Sequence, residues 1–213
     1  MRDEFERQLA LLNEELTTMG GLIESAIANA VKALDGDEHS INKAYDYEKS
    51  IDNKEREIES LSLKLLLTQQ PVASDLRLIS AALKMITDME RIGDQASDIA
   101  EIIGFLNGRI GTDAQYICQM AVAAMRMVTE SVEAYVKRDV AMAEATIQHD
   151  DVVDDLFLKV KESLIQMISE NPKDGEYALD LLMIAKYFER IGDHATNIAE
   201  WVVFSVTGVH EQV

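Results

Sequence analysis

The stretch Glu90-Arg91-Ile92-Gly93-Asp94-Gln95-Ala96-Ser97-Asp98-Ile99-Ala100-Glu101 decides how this chain is built. It is written again as Glu189-Arg190-Ile191-Gly192-Asp193-His194-Ala195-Thr196-Asn197-Ile198-Ala199-Glu200. The copies lie 189 − 90 = 99 residues apart in a chain of 213, so one structural unit is used twice. At about 100° per residue, Glu90, Asp94, Asp98 and Glu101 fall in a sector roughly 80° wide, opposite Met85, Met89, Ile92, Ala96, Ile99 and Ile103. The stretch is therefore a helix with one acidic stripe and one apolar face. The second copy sets Glu189, Asp193, Asn197 and Glu200 against Ile184, Phe188, Ile191, Ala195 and Val202. Like charges four apart on a helix repel by about 0.2–0.5 kcal/mol per pair, and a helix-interior glycine such as Gly93 or Gly192 costs roughly 1 kcal/mol against alanine. Both penalties are accepted twice. Either the stripe has a use, or it is a solvated face whose glycines merely admit a neighbouring helix.

Outward from this stretch the same cycle recurs. The only two prolines, Pro71 and Pro172, stand 172 − 71 = 101 residues apart at equivalent places. Leu9, Leu12, Leu16, Met19, Ile23, Ile27, Ala30 and Leu34 predict a long first helix, with Gly20-Gly21 a place where it could bend. Asp35-Gly36-Asp37 supplies a turn, and Asp37 is the expected N-cap of the second helix. That helix runs to about Leu67, before Gln69-Gln70-Pro71, and its polar side carries Glu48, Asp52, Glu55 and Glu59 within about 60°. The third helix starts at Ala73-Ser74-Asp75 and ends near Asn107-Gly108. Thr112-Asp113 restarts the cycle: Met120, Ala124, Met127, Val128, Val132 and Tyr135 on a first helix, a turn at Val136-Lys137-Arg138-Asp139, then a helix with Asp150 and Asp154 where the first half has Glu48 and Asp52. Asn171-Pro172-Lys173-Asp174-Gly175 breaks it, and a last helix runs from Glu176 to about Thr207-Gly208. No useful strand-like alternation occurs. The expected fold is all-α, two pseudo-repeated antiparallel three-helix bundles, residues 1–108 and 109–213; one continuous six-helix bundle is the alternative.

Short connections make consecutive helices antiparallel neighbours, so the second and third helices of each unit can bring their acidic stripes together. The candidate metal ligands are Glu48, Asp52, Glu90, Asp94 and Asp98 in the first half, and Asp150, Asp154, Glu189, Asp193 and Asn197 in the second. Oxygen-only ligation suits hard ions such as Mg²⁺, Mn²⁺ or Fe³⁺. Asn197 replaces an acid, so the second site is expected to be the weaker. His149 and His194 adjoin Asp150 and Asp193 but point about 100° away round the helix, as bystanders do; His39 and His210 have no ligand-spaced partner.

Composition narrows the class. Asp+Glu 39 against Lys+Arg 20 gives a formal charge of −19, which opposes direct contact with nucleic acid or an anionic lipid surface. No apolar stretch approaches the roughly 20 residues needed to span a bilayer, and the charged start Met1-Arg2-Asp3-Glu4 lacks the apolar core of a signal peptide. A single cysteine, Cys118, excludes an intramolecular disulfide and reads as a buried, inert thiol. A soluble cytoplasmic protein is expected. None of the four histidines has glutamate three positions before it, which argues against a di-iron oxidase, and there is no phosphate loop, nucleophile elbow or zinc helix. A metal-dependent phosphoester hydrolase on the same scaffold is the enzymatic alternative.

The doubled Glu-Arg-Ile-Gly-Asp motif, the Gln69-Gln70-Pro71-Val72-Ala73-Ser74-Asp75-Leu76-Arg77 entry to the third helix and the two-unit layout together resemble the PhoU family, over nearly the whole chain. The resemblance implies a cytoplasmic, non-enzymatic adaptor, typically a homodimer, that represses the phosphate-starvation response. It would act between the phosphate ABC importer, notably its ATPase subunit, and a membrane sensor histidine kinase. It also implies multinuclear metal clusters, of iron or zinc in some members and magnesium or manganese in others. By position these fall on Glu48 with Asp52, Glu90 with Asp94 and Asp98, Asp150 with Asp154, and Glu189 with Asp193. Asn197 departs from the pattern.

Overall fold

The structure, a computed structural model, describes residues 2–34, 36–68, 71–106 and 114–209. Its helices are α1 (Arg2–Leu34), α2 (His39–Thr68), α3 (Ala73–Phe105), α4 (Gln115–Lys137), α5 (Val140–Gln148), α6 (Asp150–Glu170) and α7 (Gly175–Thr207), with a 3₁₀ turn at Pro172–Asp174 before α7. No strand occurs among the described residues. Expected features at Asp35, Gln69-Gln70, Asn107-Gly108, Thr112-Asp113 and His210, and the boundary at 108, lie outside the described residues.

Local chemistry explains the helix ends. Asp37 accepts from the His39 amide at 3.2 Å and from the Ser40 hydroxyl at 2.8 Å, seating the start of α2. Asp139 does the same for α5, accepting from the Met142 amide at 3.0 Å. α1 passes through Gly20-Gly21 as unbroken helix. The turn after α4 is made by Arg138 in the left-handed region, φ 55°, and α7 closes on Gly208 at φ 79°, where glycine carries no steric penalty. One predicted helix is divided: α5 and α6 meet at His149, whose amide is shared between the carbonyls of Ala145 and Thr146, a one-residue tightening that periodicity does not register.

The apolar faces build one continuous core. Leu16, Ile23 and Ile27 of α1, Ile51 and Ile58 of α2, Ile92 and Ile99 of α3 belong to the same buried cluster as Met120 and Val128 of α4, Val153 of α6 and Ile191 and Ile198 of α7. In the first half α1, α2 and α3 pack on one another, in the second α4 and α7 pack together and against both α5 and α6, and α3 also packs along α7, joining the halves. Tyr135 of α4, wholly buried, donates its hydroxyl to the Leu78 carbonyl of α3 at 2.9 Å across that junction. Cys118 is partly buried rather than enclosed, because this side of α4 borders a groove. No helix among the described residues is long and apolar enough to cross a membrane.

Candidate metal centre

The glycines of the doubled motif sit at tight contacts between the acidic helices. A Cβ at Gly93 would lie 2.9 Å from Cδ1 of Ile51, so hydrogen in place of methyl lets α2 rest on α3. Gly192 does the same between α7 and α6, where a Cβ would meet an Asp150 carboxylate oxygen at 2.9 Å and Val153 at 3.4 Å. The glycine that admits a neighbouring helix and the acidic stripe are thus one device. Backbone proximity presses carboxylates of two helices into a common space.

In the first half Glu48 and Asp52 of α2 and Asp94 of α3 each bring a carboxylate oxygen within 4.8 Å of the others. Burial, then the charges of Asp52 and Asp94, raise Glu48 above its usual range. Asp94 is raised by burial and by Asp52 and Asp98, against the relief given by Arg91. Glu90 sits to one side, held up by burial and by Asp94, Glu55 and Asp52. Glu55, placed by the sequence only on the general stripe of α2, therefore joins Glu90. Asp98 lies at the opposite end and outside the three-oxygen set, beside Tyr45 and Tyr187. Arg91, 3.6 Å from Glu90 and 3.7 Å from Asp94, and Arg56, 3.4 Å from Asp52, supply part of the counter-charge.

The second half gathers Asp150 and Asp154 of α6 with Glu189 and Asp193 of α7. Burial, then Asp193, Asp154, Glu189 and Asp151, push Asp150 up to about 6. Asp193 and Asp154 are raised by burial and by Glu189. Lys186 pairs with Glu189.

Asn197 is not drawn into this cluster. Its amide donates to Asp88 of α3 at 3.2 Å, and His194 meets the same oxygen at 2.8 Å. Asp98 and Asn197 are 99 residues apart, as are Asp88 and Tyr187; Asp98 faces Tyr187 as Asn197 faces Asp88. The two contacts are related by the pseudo-twofold between α3 and α7, which run antiparallel. Replacement of the third acid by Asn197 consequently bears on the seam between the halves. His149 likewise is turned from the carboxylates, meeting Glu130 of α4 at 3.1 Å.

Chemically, both clusters offer carboxylate oxygens, but among the described residues only Glu48, Asp52 and Asp94 bring three of them close enough together to hold one ion. Such a set fits a divalent or trivalent hard cation. The ion would neutralise a mutual repulsion that the packing enforces, which is the chemistry it would supply.

A family model described as the PhoU domain matches the chain twice, over residues 16–103 and 117–202. The phosphate-specific transport system accessory protein PhoU homolog of Clostridium acetobutylicum is 36% identical over 210 residues, 97% of this chain and 96% of that one. The homolog of the same name from Pseudomonas aeruginosa is 33% identical over 208 residues, 96% of this chain and 86% of that one. Among solved structures, PhoU from Pseudomonas aeruginosa superposes with a TM-score of 0.90 at 32% identity, covering 96% of this chain and all of that one. The phosphate transport system regulatory protein PhoU of Streptococcus pneumoniae, at 22% identity and a TM-score of 0.88, shares the fold.

Proposed function

The chain belongs to the PhoU family, and on that premise we propose that it is a metal-loaded accessory protein of phosphate-specific transport. Its named relatives are accessory proteins of that transport system, and this chain is not an enzyme. Three carboxylate oxygens of Glu48, Asp52 and Asp94 within 4.8 Å of one another carry the metal reading. Glu90, Glu55 and Asp98 extend the first cluster; Asp150, Asp154, Glu189 and Asp193 make the second. In this reading Mg²⁺, Mn²⁺ or iron, or zinc as the less hard option, cancels the repulsion within each stripe and fixes the angle between the helices that carry it. Residues 1–108 and 109–213 act as the two units, each presenting one loaded face. Through those faces the protein works in the cytoplasm, as a homodimer, between the ATPase subunit of the phosphate importer and a sensor histidine kinase, and represses phosphate-uptake genes when phosphate is plentiful. The net charge of −19 supports protein partners over nucleic acid.

The test is the triple variant Glu48→Gln, Asp52→Asn, Asp94→Asn, in a strain reporting on phosphate-uptake genes. Elemental analysis of protein purified without chelator should show metal lost from the variant, and the reporter should be derepressed in high phosphate. Unchanged metal content removes the site from consideration; lost metal with intact repression removes its role in signalling.

A further inference from the structure

We propose that the groove between α4 and α6 is a docking site for an amphipathic helix of a partner protein that bears an acidic residue at one end. The groove has a volume of about 650 Å³, and Cys118, Val122, Val152 and Leu156 line it, with Arg126 and His149 at one end. Val122 is 61% exposed and Val152 49%, so this is apolar surface left in water. Contiguous apolar surface of this kind marks an interaction site more often than scattered residues do.

The internal repeat supplies a control. Buried Leu16 and Leu34 are answered by buried Ile117 and Tyr135, 117 − 16 = 101 residues on; buried Ile51 and Ile58 are answered by buried Val153 and Val160, 153 − 51 = 102 residues on. On that register Val122 stands for Gly21, Val152 for Ser50 and Leu156 for Lys54. In the first half Lys54 reaches across to Glu15 at 2.6 Å, covering the matching surface with an ion pair; Tyr116 stands in the place of Glu15. The fold is satisfied by glycine, serine and a salt bridge at these positions, so packing alone does not call for an apolar groove. The second half carries Val122, Val152 and Leu156 at these places instead.

Shape and charge select the occupant. The groove follows α4 from Gln115 to Arg126, about 16 Å at 1.5 Å per residue, the length of a three-turn helix presenting side chains at i, i+3 or i+4, and i+7. Its lining contains no carboxylate, in a chain with 39 acids and 20 bases. Arg126 is exposed at one end, and Glu130, at 2.7 Å, is its partner within the chain; an incoming carboxylate would share that guanidinium. An anionic membrane would be repelled by the net charge of −19, and a second copy of the chain is told apart from a partner helix by the dependence of protection on protein concentration. The proposal does not depend on the carboxylate clusters.

Cys118 is the single cysteine and lines the groove, so its rate of reaction with a thiol reagent reports occupancy. The full chain would be mixed with a panel of amphipathic peptides of about fourteen residues, with Leu, Val, Ile and Phe varied at the anchor spacing and Glu or Lys at the end facing Arg126. A Glu peptide at about nine times its Kd should slow Cys118 modification about tenfold, and its Lys counterpart should protect less. Arg126→Glu should reverse that order, and Val122→Lys or Val152→Lys should abolish protection with Tm unchanged. The proposal is overturned if no peptide protects, if the charge swap leaves the order unchanged, if protection grows with protein concentration without peptide, or if anionic vesicles alone protect.

Discussion

Replacing Gly93 with alanine adds one methyl group where α3 meets α2, and the structure says what it strikes. The new Cβ would lie 2.9 Å from Cδ1 of Ile51, 3.1 Å from its Cγ2 and 3.4 Å from its Cβ. Cδ1 can rotate away, but Cγ2 and Cβ belong to a stiff β-branched side chain that is wholly buried. Alanine favours the helix by roughly 1 kcal/mol, whereas overfilling a packed core costs roughly 1–3 kcal/mol. The net expectation runs from no change to a loss of about 2 kcal/mol. Gly21→Ala is the control, since nothing lies within 4 Å of its added Cβ; it should gain about 0.4–1 kcal/mol. Urea denaturation followed by helical circular dichroism should set the two variants about 0.4–3 kcal/mol apart, or about one degree to several degrees in Tm at roughly 2–4 °C per kcal/mol. Gly93→Ala should also weaken Mn²⁺ binding, by moving Glu48 and Asp52 away from Asp94. If it is stabilised as much as Gly21→Ala, the argument that this glycine sets the approach of the two acidic helices fails.

The carboxyl of Asp150 is raised from 3.8 to about 6, so between those values the folded chain holds more protons than the unfolded one. Metal-free protein should therefore lose stability as pH rises through that window, by roughly 1–2 kcal/mol after solvent screening; a urea midpoint that does not fall in the parent, or that falls equally in Asp150→Asn, contradicts this. Tyr135→Phe removes the buried hydrogen bond to the Leu78 carbonyl and should cost about 0.5–1.5 kcal/mol in the same assay, with no loss meaning that this bond adds nothing to the junction. Arg138→Gly relieves a left-handed residue at φ 55° and should raise stability by about 1 kcal/mol or less; a lower Tm would show that the Arg138 side chain outweighs its backbone strain.

The helices and their repetition were legible because they rest on local signals: a 3.6-residue period, two prolines and a glycine-centred motif written twice. The opposition of Glu48 and Asp52 to Asp94 followed from short connections alone. The split at His149 was not legible, since its residues keep helical angles and only a hydrogen bond shifts by one position. Nor was the engagement of Asn197, which the linear comparison counts as a missing ligand. Its partner, Asp88, lies 109 residues away, and no period links positions brought together by the docking of one half on the other. Glu55 shared a stripe with Glu48, Asp52 and Glu59, which carry the same charge, so nothing singled it out before α3 was placed beside it.

The antiparallel contact of α3 with α7 has a bearing on how the two halves behave together. Each of these helices lines one cluster on its outer side and meets its counterpart on the inner, with Lys84 set over the Trp201 ring at 6.0 Å farther along. Close-packed interiors pass displacement on instead of absorbing it. A tilt of either rod is thus felt by the far pan of a balance with a single fulcrum, and the duplicated chain weighs both of its loads at once.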